Sequence, residues 1–485
     1  MSDVALGLDL GTSGVRVVAV DGHGQLCAET TAQYPLHTPQ PGWTEQQPQD
    51  WYEASLSALQ AMQQQLETAG QQAVALGMSG QMHGMTPLDA HGEVVRPAIL
   101  WNDQRTAEAV AHIEQQVPRA DLIARSGNPA ITGFQLSKVV WMQQQEPDNF
   151  ARTRHVLFPK DYLSYRLCGA MVAEPADASG SNCFNLAAKR WDEDILGALA
   201  ITPNLYPQVV ASDSVIGHLQ ASVAAHTGLP EGLPIIAGAG DNAAAALGLG
   251  ISSANPARGS LSLGTSGVIF VPLEQATPDP QGRVHLFCHA DGGYHLLAVT
   301  LSAAGSLQWY RDTFAANLSF GTLTRLAQES EIGSRGVSFK PYLAGERSPY
   351  MNPDLRASWT GLSLANKSCD VIRALLEGVA FSLRDAFDVT LPLAKPQELI
   401  TTGGGTTSTF WLQMVCDVLG LPLLQPRYTQ GVAYGAALLA MQGTGMADAL
   451  ETANKALQIA DTLTADAHAD YQAALARYRA VPVLR

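Results

Sequence analysis

The chain has 485 residues, 46% hydrophobic and 15% charged, which is enough apolar material for two or more packed domains and too little charge for a disordered chain. Its net charge of −15, from 44 acidic against 29 basic side chains, argues against nucleic acid as a partner, although a small anion can still be held by backbone N–H groups at one local site. Six cysteines without a C-x-x-C pair read as reduced thiols of a cytoplasmic protein, not as a disulfide or zinc framework.

The opening MSDVALGLDLG carries an acid at position 3 and no basic region, so it does not read as a signal peptide. Residues 4–10 (VALGLDL) predict a buried strand, GTSG a turn, residues 15–20 (VRVVAV) a second strand, and residues 25–33 a third after the DGHG turn. Pro48 opens a helical pattern that runs to about Glu67. The run 233–251 is apolar but is broken by Asp241 and Asn242 and is rich in Gly and Ala, so it makes a poor membrane span. It predicts a strand (IIAG) followed by a helix of small residues.

The chain then repeats itself. LSLGTSGV at 261–268 matches LDLGTSGV at 8–15 in seven of eight letters, with Ser262 in place of Asp9. The separation is about half the chain, too long for a solenoid, and predicts two related domains that each open with the same element. Strands at 260–264, 267–272 and 294–300, then a helix from about Ser302, follow the same plan, and SSANPARGS at 252–260 is the expected hinge. Near the end, the strand 398–402, the loop TTGGGTTS and a helix from about Ser408 complete the pattern.

Several of these elements could carry chemistry. A GTSG turn offers backbone N–H groups and hydroxyls to phosphate oxygens, and two copies could grip a polyphosphate from both sides of a cleft. Asp9 beside the first turn suits a metal ion or its waters, with turn capping as the plainer alternative. Three successive glycines at 403–405 allow close backbone approach to a ligand or simply a tight turn. Asp241, at a strand-to-helix junction, suits a general base, is expected to be ionised at pH 7, and has helix capping as its alternative. GMSGQMHGM ends a strand and offers Gln81, Met82 and His83, where a lone His is more often structural; WNDQR concentrates polar groups suited to sugar hydroxyls or forms a surface turn; the pairs Lys160–Asp161 and Glu346–Arg347 read either as sites or as buried ion pairs.

Taken together, LDLGTSGVR, SGQMHG, RPAILWND, PKDYL, AGAGDNAAAALG, LSLGTSGV, FCHA, PYLAGERSP, LLEGVAFSL, GGG and YGAA resemble the FGGY carbohydrate kinases, most closely the branch acting on D-xylulose, from Asp9 to about Gln442. The resemblance implies an α/β fold of two ribonuclease-H-like domains of the actin and sugar-kinase type with a cleft between them. Residues 1–251 would form the domain bearing the sugar and the phosphate loop, and residues 252–485 the nucleotide-binding domain. It implies ATP and Mg2+ in the cleft, Asp241 as catalytic base, and Asp9 as the acid that organises the metal. On the sugar side it implies Gln81, Met82, His83, Trp101, Asn102, Asp103 and Asn242. On the nucleotide side it implies Thr12, Ser13, Arg16, Gly264, Thr265, Gly403, Gly404, Gly405 and Ser408. The implied product is D-xylulose 5-phosphate, and a homodimer is left open. Gln135 and Leu375 depart from the family pattern and are expected to bear on fine packing or sugar choice. A nucleotide-switched scaffold of the actin or chaperone type is the rival on the same fold.

Overall fold

The computed structural model describes residues 1–467 and 469–484. Strands β1 (Ser2–Leu10), β2 (Gly14–Asp21) and β3 (Leu26–Gln33) form an antiparallel meander, with the first GTSG turn joining β1 to β2. Helix α1 (Pro48–Ala69) begins on a proline and stops at Gly70, whose positive φ ends the last turn. It returns the chain to β4 (Gln71–Gly80), parallel to β1. Two helices of the insertion that follows, α2 (Gln135–Gln145) and α3 (Pro159–Cys168), lie near the site. An edge strand, β5 (Val215–His218), precedes β6 (Pro234–Gly240), which runs straight into α4 (Asp241–Gly248). The sheet order is β5-β6-β4-β1-β2-β3.

The second half rebuilds the same sheet. Strands β7 (Arg258–Leu263) and β8 (Gly267–Leu273) flank the second GTSG turn, and β9 (His285–Cys288) and β10 (Tyr294–Thr300) follow. After α5 (Ala304–Phe314) and α6 (Ser368–Thr390) come β11 (Glu398–Thr402), α7 (Thr409–Leu419), β12 (Leu423–Pro426), α8 (Val432–Thr444) and β13 (Ile459–Leu463). The order is β9-β10-β8-β7-β11-β12-β13. Without the edge strands, each sheet reads third-second-first-fourth-fifth, with the second strand antiparallel to the first and the fourth and fifth parallel to it. This is the ribonuclease-H-like plan, built twice.

Side-chain alternation explains the layering, since successive residues of a strand face opposite ways. In the first sheet Leu6, Leu8 and Val17 pack on Leu59 and Met62 of α1. Ala5, Val18, Val20, Ala75 and Ile236 face the other way and are covered by α4 and by α8. Helix α8 belongs to the second half of the sequence yet lies on the first sheet. A Cβ on Gly7 would sit 1.9 Å from Ala433 O, and one on Gly435 would sit 1.8 Å from Ala244 O. The helix reaches both the strand and α4 because those positions are glycine. Val432–Thr444 and the buried Ala449 and Ala453 thus pack with the first sheet. Among the described residues, no helix is long and apolar enough to cross a membrane.

Candidate active site

The first GTSG turn closes with Gly11 N donating to Gly14 O at 3.0 Å. The buried Gln46 anchors it, donating from Nε2 to Thr12 O (2.7 Å) while its Oε1 accepts from Gln81 Nε2 (3.0 Å) and Trp51 Nε1 (2.9 Å). Trp101, 39% exposed, donates from Nε1 to Thr12 Oγ1 (3.1 Å), and Ser13 stands exposed at the tip. Asp9, the last residue but one of β1, stands opposite Arg16. Burial, then the nearby Asp241 charge, push its carboxyl up to about 7 against the pull of Arg16, and Oδ1 has no hydrogen-bond partner among the described residues. Arg16 pairs with Glu29 (2.8 Å) and reaches Gln430 O (2.6 Å), linking the first sheet to the segment before α8.

Asp241 begins α4, where Oδ1 accepts from Asn242 N (2.7 Å) and Asn242 Nδ2 (2.9 Å). Its Oδ2 has no partner among the described residues, and the residue is only partly buried. The helix N-terminus was expected to favour the charged form, but burial outweighs it and raises the carboxyl from 3.8 to about 6, with the Asn242 bonds opposing. The capping role goes to the backbone instead, because Gly240 is the N-cap residue. Behind Asp241, Glu174 accepts from Gly240 N (3.2 Å) and Ser212 Oγ (3.1 Å), and Lys160 lies 2.5 Å from Asp161 and 3.7 Å from Glu174. Lys160–Asp161 is thus a buried ion pair supporting the junction.

His83 adopts φ 66°, in the left-handed region. Its Nδ1 lies 2.8 Å from Gly180 O; a carbonyl only accepts, so Nδ1 carries the proton and Nε2 is left as an acceptor. The ring stacks on Phe134 at 4.6 Å, and burial pushes its pKa down to about 3, so the imidazole is neutral. Lys138 of α2 donates to His83 O (2.8 Å), and Gln135 donates to Gly84 O (2.9 Å). Gln135, expected to bear on fine packing or sugar choice, holds the His83 loop. Met82 Sδ receives Asn242 Nδ2 at 3.8 Å, which brings Met82, His83, Asp241 and Asn242 together. Asn102 keeps a buried Oδ1 without a partner among the described residues. Asp103 corrects an expectation: fully buried, it accepts from Thr44 N (2.6 Å) and pairs with Arg105 (2.7 Å), whose guanidinium lies 3.7 Å over the Trp43 ring. It holds the loop together and has no oxygen to offer a sugar.

Across the cleft, Gly264 and Thr265 of the second turn meet Gly404, Gly405 and Ser408 around a cavity of about 500 Å³. Gly403 turns the loop at φ 91°, where a Cβ would lie 2.7 Å from Leu263 O. Ser408 also caps α7 by accepting from Trp411 N (3.3 Å). The remaining wall includes Leu307, Gln308, Phe320, Thr324 and Trp411, which no glycine pattern or charge marked in the sequence. A second cavity, about 260 Å³, joins Asn242 of α4 to Ser262, Thr402 and Gly431. Next to Asp241, Asn242 thus stands on a cavity that reaches Ser262 before the second turn and Thr402 before the glycine loop, and Asp241 lies close enough to Asp9 beside the first turn for their charges to interact.

Residues 4–248 match the N-terminal domain of the FGGY family of carbohydrate kinases, and residues 259–443 match its C-terminal domain. The chain belongs to that family. This FGGY kinase is 39% identical to the xylulose kinase of Escherichia coli K12 over 439 residues, covering 90% of this chain and 89% of that one. It is 36% identical to the xylulose kinase of Bacillus subtilis 168 over 448 residues, covering 92% and 89%. Among solved structures, the xylulose kinase of Rhodospirillum rubrum superposes with a TM-score of 0.92 at 28% identity, covering 98% of each chain.

Proposed function

We propose that this FGGY kinase transfers the γ-phosphoryl group of ATP to the 5-hydroxyl of D-xylulose. The observation that carries the reading is Asp241 at the start of α4: its Oδ2 is unpartnered among the described residues, its charge acts on Asp9 beside the first turn, and the adjacent Asn242 lines the cavity that reaches Ser262 and Thr402. The naming of the relatives as xylulose kinases supports the choice of sugar. The sugar lies against Met82, His83 and Asn242 on the first half, with Gln81, Trp101 and Asn102 bordering it. The nucleotide lies in the cavity of the second half, its phosphates between the turns at Thr12 and Thr265.

Asp241 accepts the 5-hydroxyl proton while the new O–P bond forms and the bond from the γ-phosphorus to the ADP oxygen breaks, leaving ADP and D-xylulose 5-phosphate. A carboxyl titrating at about 6 is ionised at neutral pH and still basic enough to take that proton. Among the described residues, no three acids, histidines or cysteines gather around a metal position, which suits a magnesium ion that arrives on ATP and needs only one or two carboxylates. Asp9, with its orphaned buried Oδ1, is the residue that fits it, and the ion would neutralise phosphate charge there. Closure of the two halves on their ligands would exclude water from the transfer.

A panel of pentuloses, glycerol and gluconate in an ADP-coupled assay, with the phosphorylated product identified, tests the reading. D-Xylulose is expected to give the highest kcat/KM. Turnover on another panel member with none on D-xylulose would reject it, and ATP hydrolysis without a phosphosugar would favour the scaffold reading.

A further inference from the structure

The two GTSG turns are held in the same way by different parts of the chain. In the second copy, backbone N–H groups at the start of α5 hold the turn carbonyls from behind. Ala304 N donates to Gly264 O (2.8 Å), while Ala303 N (2.8 Å) and Gly305 N (3.2 Å) donate to Thr265 O. Gly11 and Thr12 occupy the same places in the first copy. There side chains take over: Tyr34 Oη donates to Gly11 O, Gln81 Nε2 lies 3.5 Å from the same oxygen, and Gln46 Nε2 donates to Thr12 O (2.7 Å). Among the described residues, Thr12 N, Ser13 N, Thr265 N and Ser266 N donate no hydrogen bond.

A trans peptide unit points its C=O and its N–H in opposite directions, and among the described residues only Ser348–Pro349 is cis. Holding Thr12 O against Gln46 therefore turns Ser13 N–H away from Gln46, and holding Gly11 O against Tyr34 turns Thr12 N–H away from Tyr34. In the second copy the turn held in this way lines the cavity of about 500 Å³ through Gly264 and Thr265. Successive free N–H groups suit phosphate oxygens. Gln46 itself cannot turn over. It is fully buried, its Nε2 donates to Thr12 O and to Pro35 O (3.3 Å), and its Oε1 accepts from Trp51 Nε1 and Gln81 Nε2, so the whole amide is engaged. Thr12 Oγ1 lies 3.4 Å from Gln81 Oε1 and donates to it, closing a ring that runs from Thr12 O through Gln46 and Gln81 back to Thr12.

We propose that Gln46 and Tyr34 are positioning residues for phosphoryl transfer: by holding Thr12 O and Gly11 O from behind, they aim Ser13 N–H and Thr12 N–H at the group being transferred. Gln46 touches no ligand and acts only through the turn. The inference rests on the reading of the cleft as a phosphoryl-transfer site, whichever sugar accepts. It also distinguishes the two turns. The second is set by backbone and is indifferent to side chains, whereas the first depends on two residues that lie between β3 and α1.

The test measures kcat, both KM values and thermal melting for wild type, Gln46→Met and Tyr34→Phe. It also compares, in saturating sugar, the binding of ADP alone with that of ADP, magnesium and aluminium fluoride, which imitate the transferring group. Gln46→Met removes the donor to Thr12 O at similar volume. It is expected to lower kcat by about 10–100-fold, the scale of a misaimed transition-state donor, with both KM values within about threefold. Its affinity for the fluoride complex should fall at least about tenfold while that for ADP alone stays within about twofold, because the donor acts on the transferring group. Tyr34→Phe removes one hydroxyl and should lower kcat at least about threefold with the same split. If Gln46→Met does not fold, Tyr34→Phe decides. A folded deciding variant with kcat within about threefold of wild type overturns the proposal. So does an equal loss of affinity for ADP and for the fluoride complex, which is what a merely structural role would give. Wild-type turnover is measured first. If no sugar of the panel is phosphorylated, the phosphoryl-transfer reading is rejected and the inference with it; if any is, the variants judge the inference alone.

Discussion

Replacing Asp241 by Asn keeps the shape of the side chain and its bond from Asn242 N while removing the charge. In the folded protein the carboxyl titrates at about 6 against 3.8 for the free group. A carboxyl raised in this way penalises the folded state as pH climbs past 3.8, and the penalty is complete above about 6. That displacement corresponds to about 3 kcal/mol, which water in the open cleft reduces to about 1–2 kcal/mol. Asp241→Asn is therefore expected to melt higher than wild type at pH 7.5, and to show no such gain near pH 4. Turnover should fall by about 10²–10⁴-fold, the share of a general base, with much smaller changes in sugar and ATP binding. In wild type, kcat/KM for the sugar should rise with pH through about 6 as the group ionises. Differential scanning fluorimetry at the two pH values and a coupled assay on the same preparations measure both effects. A variant that keeps more than about a tenth of wild-type turnover would refute the base assignment, and a lower melting point at pH 7.5 would refute the electrostatic account.

The other expectations concern the walls of the cleft. His83→Asn, chosen because Asn tolerates the positive φ at this position, should weaken D-xylulose binding by about 1–3 kcal/mol with ATP binding nearly normal, as calorimetry would show. With its pKa near 3, His83 itself should impose no pH dependence on sugar binding between pH 5 and 8. A Cβ at Gly404 meets no atom within 4 Å, so Gly404→Val should fold normally yet narrow the 500 Å³ cavity and raise the ATP KM at least about tenfold, a substantial loss of binding energy. Gly435→Ala should lower the melting temperature by several degrees, because its methyl group would overlap Ala244 O. Saturating sugar with a non-hydrolysable ATP analogue should reduce the radius measured by small-angle scattering; an unchanged radius would argue against closure.

The repeated LGTSGV string announced two related sheets because a turn between two strands places the same local demands on each copy. The first three strands, α1 and the 398–402 strand fall within a few residues of their sequence expectations for the same reason. The strand order was not legible from pattern alone, since β4 and β6 pair through residues far apart in the chain. WNDQR shows why composition misplaces a side chain. A polar cluster after an apolar run looks alike whether it faces a cleft or folds back, and what decides Asp103 is Thr44 N, well upstream. Gln46 and Gln135 shape the site through backbone carbonyls on other segments, which no spacing encodes. Phe320 and Thr324 come from a helix whose cavity face resembles any other amphipathic face.

The position of α8 on the first sheet has a consequence for how the protein is made. Strand β6 completes that sheet at Gly240, but the helix that covers Ala5, Val18 and Ala75 ends at Thr444. At roughly 5–20 residues per second the ribosome needs about 10–40 s to synthesise the stretch between. During that interval an apolar sheet face with small side chains waits without its cover, and the early half depends on α4 or on chaperones to shield it. A fragment that stops before Val432 would leave the same face open permanently, so its recovery in the insoluble fraction, and its rescue by the 432–456 segment supplied in trans, would be the cellular signature of a sheet that borrows its last layer from the far end of the chain.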